Sequence, residues 1–497
     1  MPVKDEYIKR SSGILMAVYS LPSPYGIGTL GAAARDFVDF LAAAGQRWWQ
    51  MLPVGPTAYG DSPYQSPSTF AGNPYFIDLD LLVADGLLEQ AEIDALAWGD
   101  DASQVDYGRL YGNRYTLLEK ATARGWERDA ASVDAFLQQN RWVRDYALFM
   151  ALKRHFDMRC WLDWPEDIRL RQAAAMEKYR TLLAADVRLF TYIQYLFYTQ
   201  WNALRDYAHE KGVGIIGDMP IYVALDSVDV WAEPHYFQLD EKGFPTAVAG
   251  VPPDYFSEDG QLWGNPLYDY AAMQKDGYAW WIRRVDGASK LYDIIRIDHF
   301  RGFSAYWSVP YGAATAKGGK WVDGPGMSLV GVLRDWFANV RFIAEDLGAP
   351  SPDVVQLLAD SGFPGMKVLE FAFDSKESSD YLPHTYPRNC VCYAGTHDNE
   401  TVAGWLAGAD PDDRRKVVDY LGLNDREGAV WGLLRGGMGS VADLFVAQMQ
   451  DYLELDNTAR MNTPGSTAGN WLWRVDAAAL TPALAKKIAK LTNLYDR

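Results

Sequence analysis

The chain has 497 residues, 49% of them apolar, and 65 acidic against 47 basic side chains give a net charge of −18. So acidic a chain, with no Lys/Arg block as a local exception, argues against a nucleic-acid partner. Its three cysteines cannot build a disulfide framework, no apolar run reaches the roughly eighteen residues of a membrane span, and Gly13–Leu21 lacks a leader peptide's cleavage site; the expectation is a cytoplasmic protein.

In chain order, a helix is expected over Ala32–Ala44, with Phe37 and Leu41 on one face, followed by a strand over Arg47–Val54. From about 83 to 211 the pattern turns helical, through Asp134–Phe156 and Arg169–His209. Short β-branched runs then recur at Gly214–Val223, Ile294–Phe303, Val340–Gly348, Gly365–Phe373 and Cys390–Asn399, with a weaker one at Arg460–Gly465. Helices are expected between them at Ser328–Ala338 and Pro352–Ala359. Nearly continuous apolar strands alternating with helices argue for a parallel sheet covered by helices. About eight such units suggest an α/β fold closed as a (β/α)₈ barrel. Seven strands are identifiable and the eighth is inferred. With no low-complexity linker in sight, residues 1–497 read as one catalytic barrel carrying a mainly helical insertion at about 83–211.

Gly26, Gly28 and Gly31 spell G-x-G-x-x-G before a helix, but Pro22 and Pro24 intervene and the next strand ends without the required acid, so they read as loop glycines. The acids where strands give way to loops carry more: Asp218, Asp298, Glu345 and Asp398. Active sites of barrels are built at that edge, and four carboxylates crowded there raise one another's pKa. Arg296 and Asp298, two apart, project from one face of a strand, and the guanidinium favours the ionised carboxylate a nucleophile needs. Glu345 has its nearest same-face cation on its own strand, Arg341, roughly 13 Å back at about 3.3 Å per residue. That bias toward the protonated form suits a general acid. His299 and His397 flank two of the acids. They suit hydrogen bonding to substrate hydroxyls, with a His/Asp metal hydrolase as a rival, although no H-x-H or H-E-x-x-H motif and no zinc-like Cys spacing supports one. An aromatic content of 14%, with 19 Trp and 30 Tyr, adds rings suited to sugar faces.

These segments resemble the amylomaltases, the bacterial 4-α-glucanotransferases related to the α-amylase superfamily. The matching stretches are Trp48–Pro56 (WWQMLPVGP), Ser62–Tyr75 (SPYQSPSTFAGNPY), Gly217–Val223 (GDMPIYV), Gly250–Ser257 (GVPPDYFS) and Trp263–Tyr268 (WGNPLY). They continue with Arg296–Gly302 (RIDHFRG), Ala344–Gly348 (AEDLG), Gly395–Thr401 (GTHDNET) and Arg460–Gly465 (RMNTPG). The resemblance implies a helix-decorated barrel, no metal and no cofactor. It implies Asp298 as nucleophile, Glu345 as general acid/base and Asp398 as transition-state stabiliser. Arg296, His299 and His397 would hold the sugar at the cleavage site and orient the nucleophile, Tyr59 would stack on that sugar, and Trp263 would stand by the acceptor. Asp218, Asp254 and Asn462 complete the implied substrate contacts, with 250–260 as a mobile loop over the cleft. The implied partners are maltooligosaccharides and starch- or glycogen-derived glucans. The implied reaction is retaining transfer through a glycosyl-Asp intermediate; an α-glucan hydrolase and a catalytically silent glucan-binding protein are the alternatives.

Overall fold

The computed structural model describes residues 8–253, 257–348, 351–466 and 468–497, and of Tyr59 only the backbone. Eight parallel strands form the main sheet: β1 (Ser11–Leu15), β2 (Trp48–Gln50), β3 (Gly214–Met219), β4 (Ile294–Ile297), β5 (Arg341–Ala344), β6 (Gly365–Val368), β7 (Cys390–Tyr393) and β8 (Leu444–Gln448). They pair in the order β6-β7-β8-β1-β2-β3-β4-β5, which is chain order wound around a ring. At the seam between β5 and β6 the Ala344 amide donates to the Pro364 carbonyl at 2.9 Å. The result is the (β/α)₈ barrel.

Two strands differ from expectation. Arg460–Gly465 is a turn rather than a strand, in which Arg460 Nε bonds back to the Asn462 carbonyl at 2.8 Å. The ring is completed instead by β1 (SSGIL) and β8 (LFVAQ), five fully buried residues each. Both lack the usual punctuation. β1 opens on two buried serines, and β8 runs straight into the helical turn Met449–Tyr452.

The outer helices are α1 (Ala32–Ala43), α2 (Val143–His155), α3 (Ala184–Glu210), α4 (Ala279–Leu291), α5 (Met327–Trp336), α6 (Pro352–Ser361), α7 (Ala429–Gly439) and α8 (Pro482–Leu494). In α1, Ala34, Phe37, Val38 and Leu41 are buried, the spacing of a single core-facing stripe. α6 has its expected punctuation: Pro352 at the first turn and Gly362 at φ 74° just past the end. The helical insertion is more broken than its periodicity suggests. Asp134–Phe156 splits at Asn140, where the backbone leaves helical geometry, and Arg169–His209 splits at Leu183.

The long helix α3 is tied to the loop after β2 by two amides. Gln194 exchanges both its bonds with the Gly72 backbone, at 2.7 and 3.0 Å, and Gln200 does the same with Asp78, at 2.7 and 3.2 Å. Gly72 permits this approach, since a Cβ there would stand 2.0 Å from the Phe197 ring.

A second, antiparallel sheet was not anticipated: Gln261–Pro266, Ala247–Val251, Ala305–Pro310 and Lys320–Asp323, in that order. It is built from the segments following β3 and β4. The stretch expected as a loop at 250–260 is therefore anchored at both ends in strands, with Gly250 opposite Leu262.

Candidate active site

The ends of β3, β4, β5 and β7 bring the four acids to one mouth of the barrel. Asp218 on β3 stands in register with Arg296 on β4. Arg296 Nη1 donates to both Asp218 oxygens at 2.7 Å and to Asp298 Oδ1 at 3.0 Å. Asp218 and Arg296 are buried, whereas Asp298 leaves 28% of its side chain exposed. One cation thus spans a buried carboxylate and one open to the cleft. The Asp298 amide in turn donates to the Met219 carbonyl at 3.0 Å, fixing the nucleophile candidate to the end of β3.

Glu345 follows β5 directly, and its amide donates to Ile297 of β4 at 3.0 Å. Its carboxyl accepts one bond from the His299 amide and one from the Leu347 amide, each 2.7 Å. His299 sits in the left-handed region at φ 50°, uncommon for a residue with a side chain. Its imidazole meets Trp263 edge to face at 4.8 Å, and burial pushes its pKa down to about 3, so the ring is neutral.

On the opposite wall Asp398 accepts from Asn462 Nδ2 at 2.6 Å, and its carbonyl accepts from Arg460 Nη2 at 2.6 Å. His397 Nε2 lies 3.4 Å from Asp398 Oδ1. The His397 ring stacks on Tyr64, centroids 5.1 Å apart, and the Tyr64 hydroxyl donates to Asp218 Oδ2 at 2.8 Å. Tyr64 therefore links the two walls.

Burial is the largest influence on both central carboxyls and raises both. Asp298 reaches about 6, with Arg296 opposing the rise; Glu345 reaches about 7, with Arg296 opposing and the Asp298 charge adding to it. The carboxyl in contact with the guanidinium is the one more readily ionised. The pair offers one charged and one proton-bearing group near neutrality, which is what nucleophilic and acid catalysis in one site require.

The cleft above them holds about 560 Å³ and is lined by Tyr64, Tyr222, Trp263, Asp298, Asp398 and Trp471 among others. Of the residues expected from sequence, Trp263, Asp298, His397, Asp398 and Asn462 line it, and Glu345 and His299 adjoin Asp298. Arg296 and Asp218 lie beneath it. Asp254 and the Tyr59 side chain lie outside the described residues. Sequence reasoning missed Tyr64 and Trp471; Tyr64 was within reach, as the first aromatic of the quoted SPYQSP segment. Among the described residues, no three His, Cys, Asp or Glu side chains converge as a metal site.

A family model described as 4-alpha-glucanotransferase matches residues 16–480. The chain is 47% identical over 485 residues to the 4-alpha-glucanotransferase of Clostridium butyricum, covering 97% of this chain and 100% of that one. It is 49% identical over 493 residues to that of Streptococcus pneumoniae serotype 4, covering 98% of each. The solved amylomaltase of Streptococcus agalactiae, in complex with acarbose, matches with a TM-score of 0.97 at 41% identity, over 98% of this chain and 100% of that one. That of Corynebacterium glutamicum, at 20% identity and a TM-score of 0.78 over 97% and 75%, shares the fold. With the family match running through nearly the whole chain and relatives close to half identical, the chain belongs to the 4-alpha-glucanotransferase, or amylomaltase, family and is an enzyme of that activity on α-glucans.

Proposed function

We propose that this enzyme moves α-1,4-linked glucan segments to the 4-hydroxyl of an acceptor glucan or glucose by double displacement on Asp298. The observation that carries this reading is the coupled pair: Asp298 against Arg296 and open to the cleft, Glu345 beside it and pinned by two amides. In the first step Glu345 gives its proton to the bridging oxygen. The C–O bond to the leaving chain breaks as an Asp298 oxygen bonds to the anomeric carbon. In the second, the Glu345 carboxylate takes the proton of the acceptor 4-hydroxyl, whose oxygen displaces Asp298 with overall retention. Asp398, oriented by Asn462, stabilises the positive charge developing on the sugar ring.

Arg296 acts by holding Asp298 rather than by touching the sugar, and buried Asp218 holds Arg296. Tyr64, Trp263, His299 and His397 supply ring faces and hydrogen bonds for the sugar at the cleavage point, with Tyr59 and Asp254 as further contacts. Maltooligosaccharides and starch- or glycogen-derived chains are the proposed substrates, in the cytoplasm. The acarbose held by the Streptococcus agalactiae relative, itself an oligosaccharide, supports that class. The aromatic lining around Trp263 favours an incoming sugar over water. The test is incubation with maltotriose alone. Glucose and a ladder of longer oligosaccharides should form while total reducing ends stay nearly constant. A steady rise in reducing ends with no longer products would make the enzyme a hydrolase.

A further inference from the structure

The loop Pro220–Val223 follows β3 and forms part of the cleft wall through Pro220, Ile221 and Tyr222. Its backbone carbonyls are gripped from behind. Arg284 on α4 donates Nη1 to the Ile221 carbonyl at 2.9 Å and Nη2 to the Pro220 carbonyl. Arg284 Nη1 also donates to the Tyr268 hydroxyl at 3.1 Å, and that hydroxyl donates to the same Ile221 carbonyl at 2.8 Å. Asn265 Nδ2 takes the next free carbonyl, that of Val223, at 2.8 Å. The WGNPLY segment thus supplies two of the three grips.

Arg284 is an unusual group to find here. It is 3% exposed; the buried Asp229 carboxylate feels its charge, but its guanidinium's hydrogen bonds go to oxygens that carry no charge. Its charge rests on carbonyl and hydroxyl oxygens and on the rings of Trp280 and Trp281, 5.3 and 5.1 Å from its carbon. Among the described residues its Nε has no hydrogen-bond partner. Burying a guanidinium costs stability even with a carboxylate nearby, and an apolar side chain would often fill such a space more favourably. What an apolar side chain cannot do is fix the direction of two successive carbonyls with a planar fork.

Those carbonyls belong to the residues next to Met219, whose own carbonyl accepts the Asp298 amide at 3.0 Å. The line runs from Arg284 to Pro220, to Met219, to Asp298. We propose that Arg284, with Tyr268, is a positioning residue for Asp298: the fork sets the end of β3, and the end of β3 sets where the carboxylate meets the anomeric carbon. This rests on the double-displacement reading above. A misplacement near 1 Å at the reacting atoms costs on the order of a hundredfold in rate, so a loosened loop is felt as lost turnover more than lost binding.

Two variants test it, Arg284→Lys, which keeps the charge and loses the fork, and Tyr268→Phe, which removes only the second grip. Both are compared with the wild type well below their melting transitions, per folded molecule. Each uses maltotriose and a maltosyl fluoride whose leaving group needs no proton. For Arg284→Lys, kcat should fall about tenfold or more with KM within about threefold. The fluoride should not rescue it, because attack by Asp298 is the step impaired. Tyr268→Phe should show the same pattern, smaller. Wild-type turnover per folded molecule in both variants, even with lowered melting temperatures, would make the grip purely structural and overturn the proposal. Rescue by the fluoride would overturn it too, since it would locate the defect at the proton donor. Failure of the wild type to turn over maltotriose would instead count against the transferase reading.

Discussion

Asp298 and Glu345 stand in different surroundings, for one of them touches a guanidinium and the other touches two amides. That difference has a pH signature. In the proposed mechanism Asp298 must be ionised, and it stands at about 6, so kcat/KM should fall as the pH drops below that value. Glu345 must be protonated for the first step and stands at about 7, so kcat/KM should fall as the pH rises above it. In Glu345→Gln, turnover of natural glucans should drop by about 10²–10⁴-fold. A maltosyl fluoride should restore part of that rate, and its profile should keep the acid limb and lose the alkaline one. An alkaline limb surviving in that variant would assign it to another group. The strand parity that set Arg296 beside Asp298 was legible in the sequence, because two residues on one strand share a face. The role of Tyr64 was not, although the residue lies in the matching SPYQSP segment, since that role depends on a stack with His397 more than three hundred residues away.

Among the elements, the strands that sequence found are those that end in an acid or a glycine. β1 and β8 escaped because five buried residues without a breaker carry no periodicity to read. The antiparallel sheet over the mouth escaped because its members, such as Gln261–Pro266, contain glycine and proline and alternate only weakly. The insertion was legible as helix but not in its breaks. Its attachment gives a test: Gly72→Ala would drive a methyl into the Phe197 ring and pry α3 from the loop after β2. The expected cost is about 1–3 kcal/mol in the urea midpoint. An unchanged midpoint would mean that the contact between insertion and barrel relaxes freely.

For the molecule as a whole, stability should depend on pH through buried acids outside the catalytic pair. Asp451 is fully buried, and its Oδ1 accepts from the Val402 amide at 2.8 Å. Burial raises its pKa to about 7, and burial together with the charge of Asp451 raises Glu370 well above the carboxylate range. A carboxyl raised in the folded state binds its proton more tightly there than in the unfolded chain. Stability is therefore greatest below the unfolded value near 4 and falls as the pH climbs to about 7. Asp451→Asn keeps the Oδ1 acceptor and removes the titration. The variant should match the wild type in urea at pH 3 and exceed it at pH 8, by a gap on the order of 4 kcal/mol at most. A gap that is the same at both pH values would show that Asp451 does not titrate in this range.

The pairing of β1 with β8, from Ser11 opposite Leu444 onward, also dictates when the barrel can exist. During synthesis the first strand leaves the ribosome more than four hundred residues before its partner. At about 5–20 residues per second that is roughly twenty to ninety seconds. Throughout that interval β1 has only β2 beside it, and its other edge stays open to any strand that reaches it. The first and last strands of the barrel thus act as a clasp, and a nascent chain halted before residue 444 exposes the β1 half of it unpaired. For this enzyme, closure of the barrel waits on the synthesis of β8.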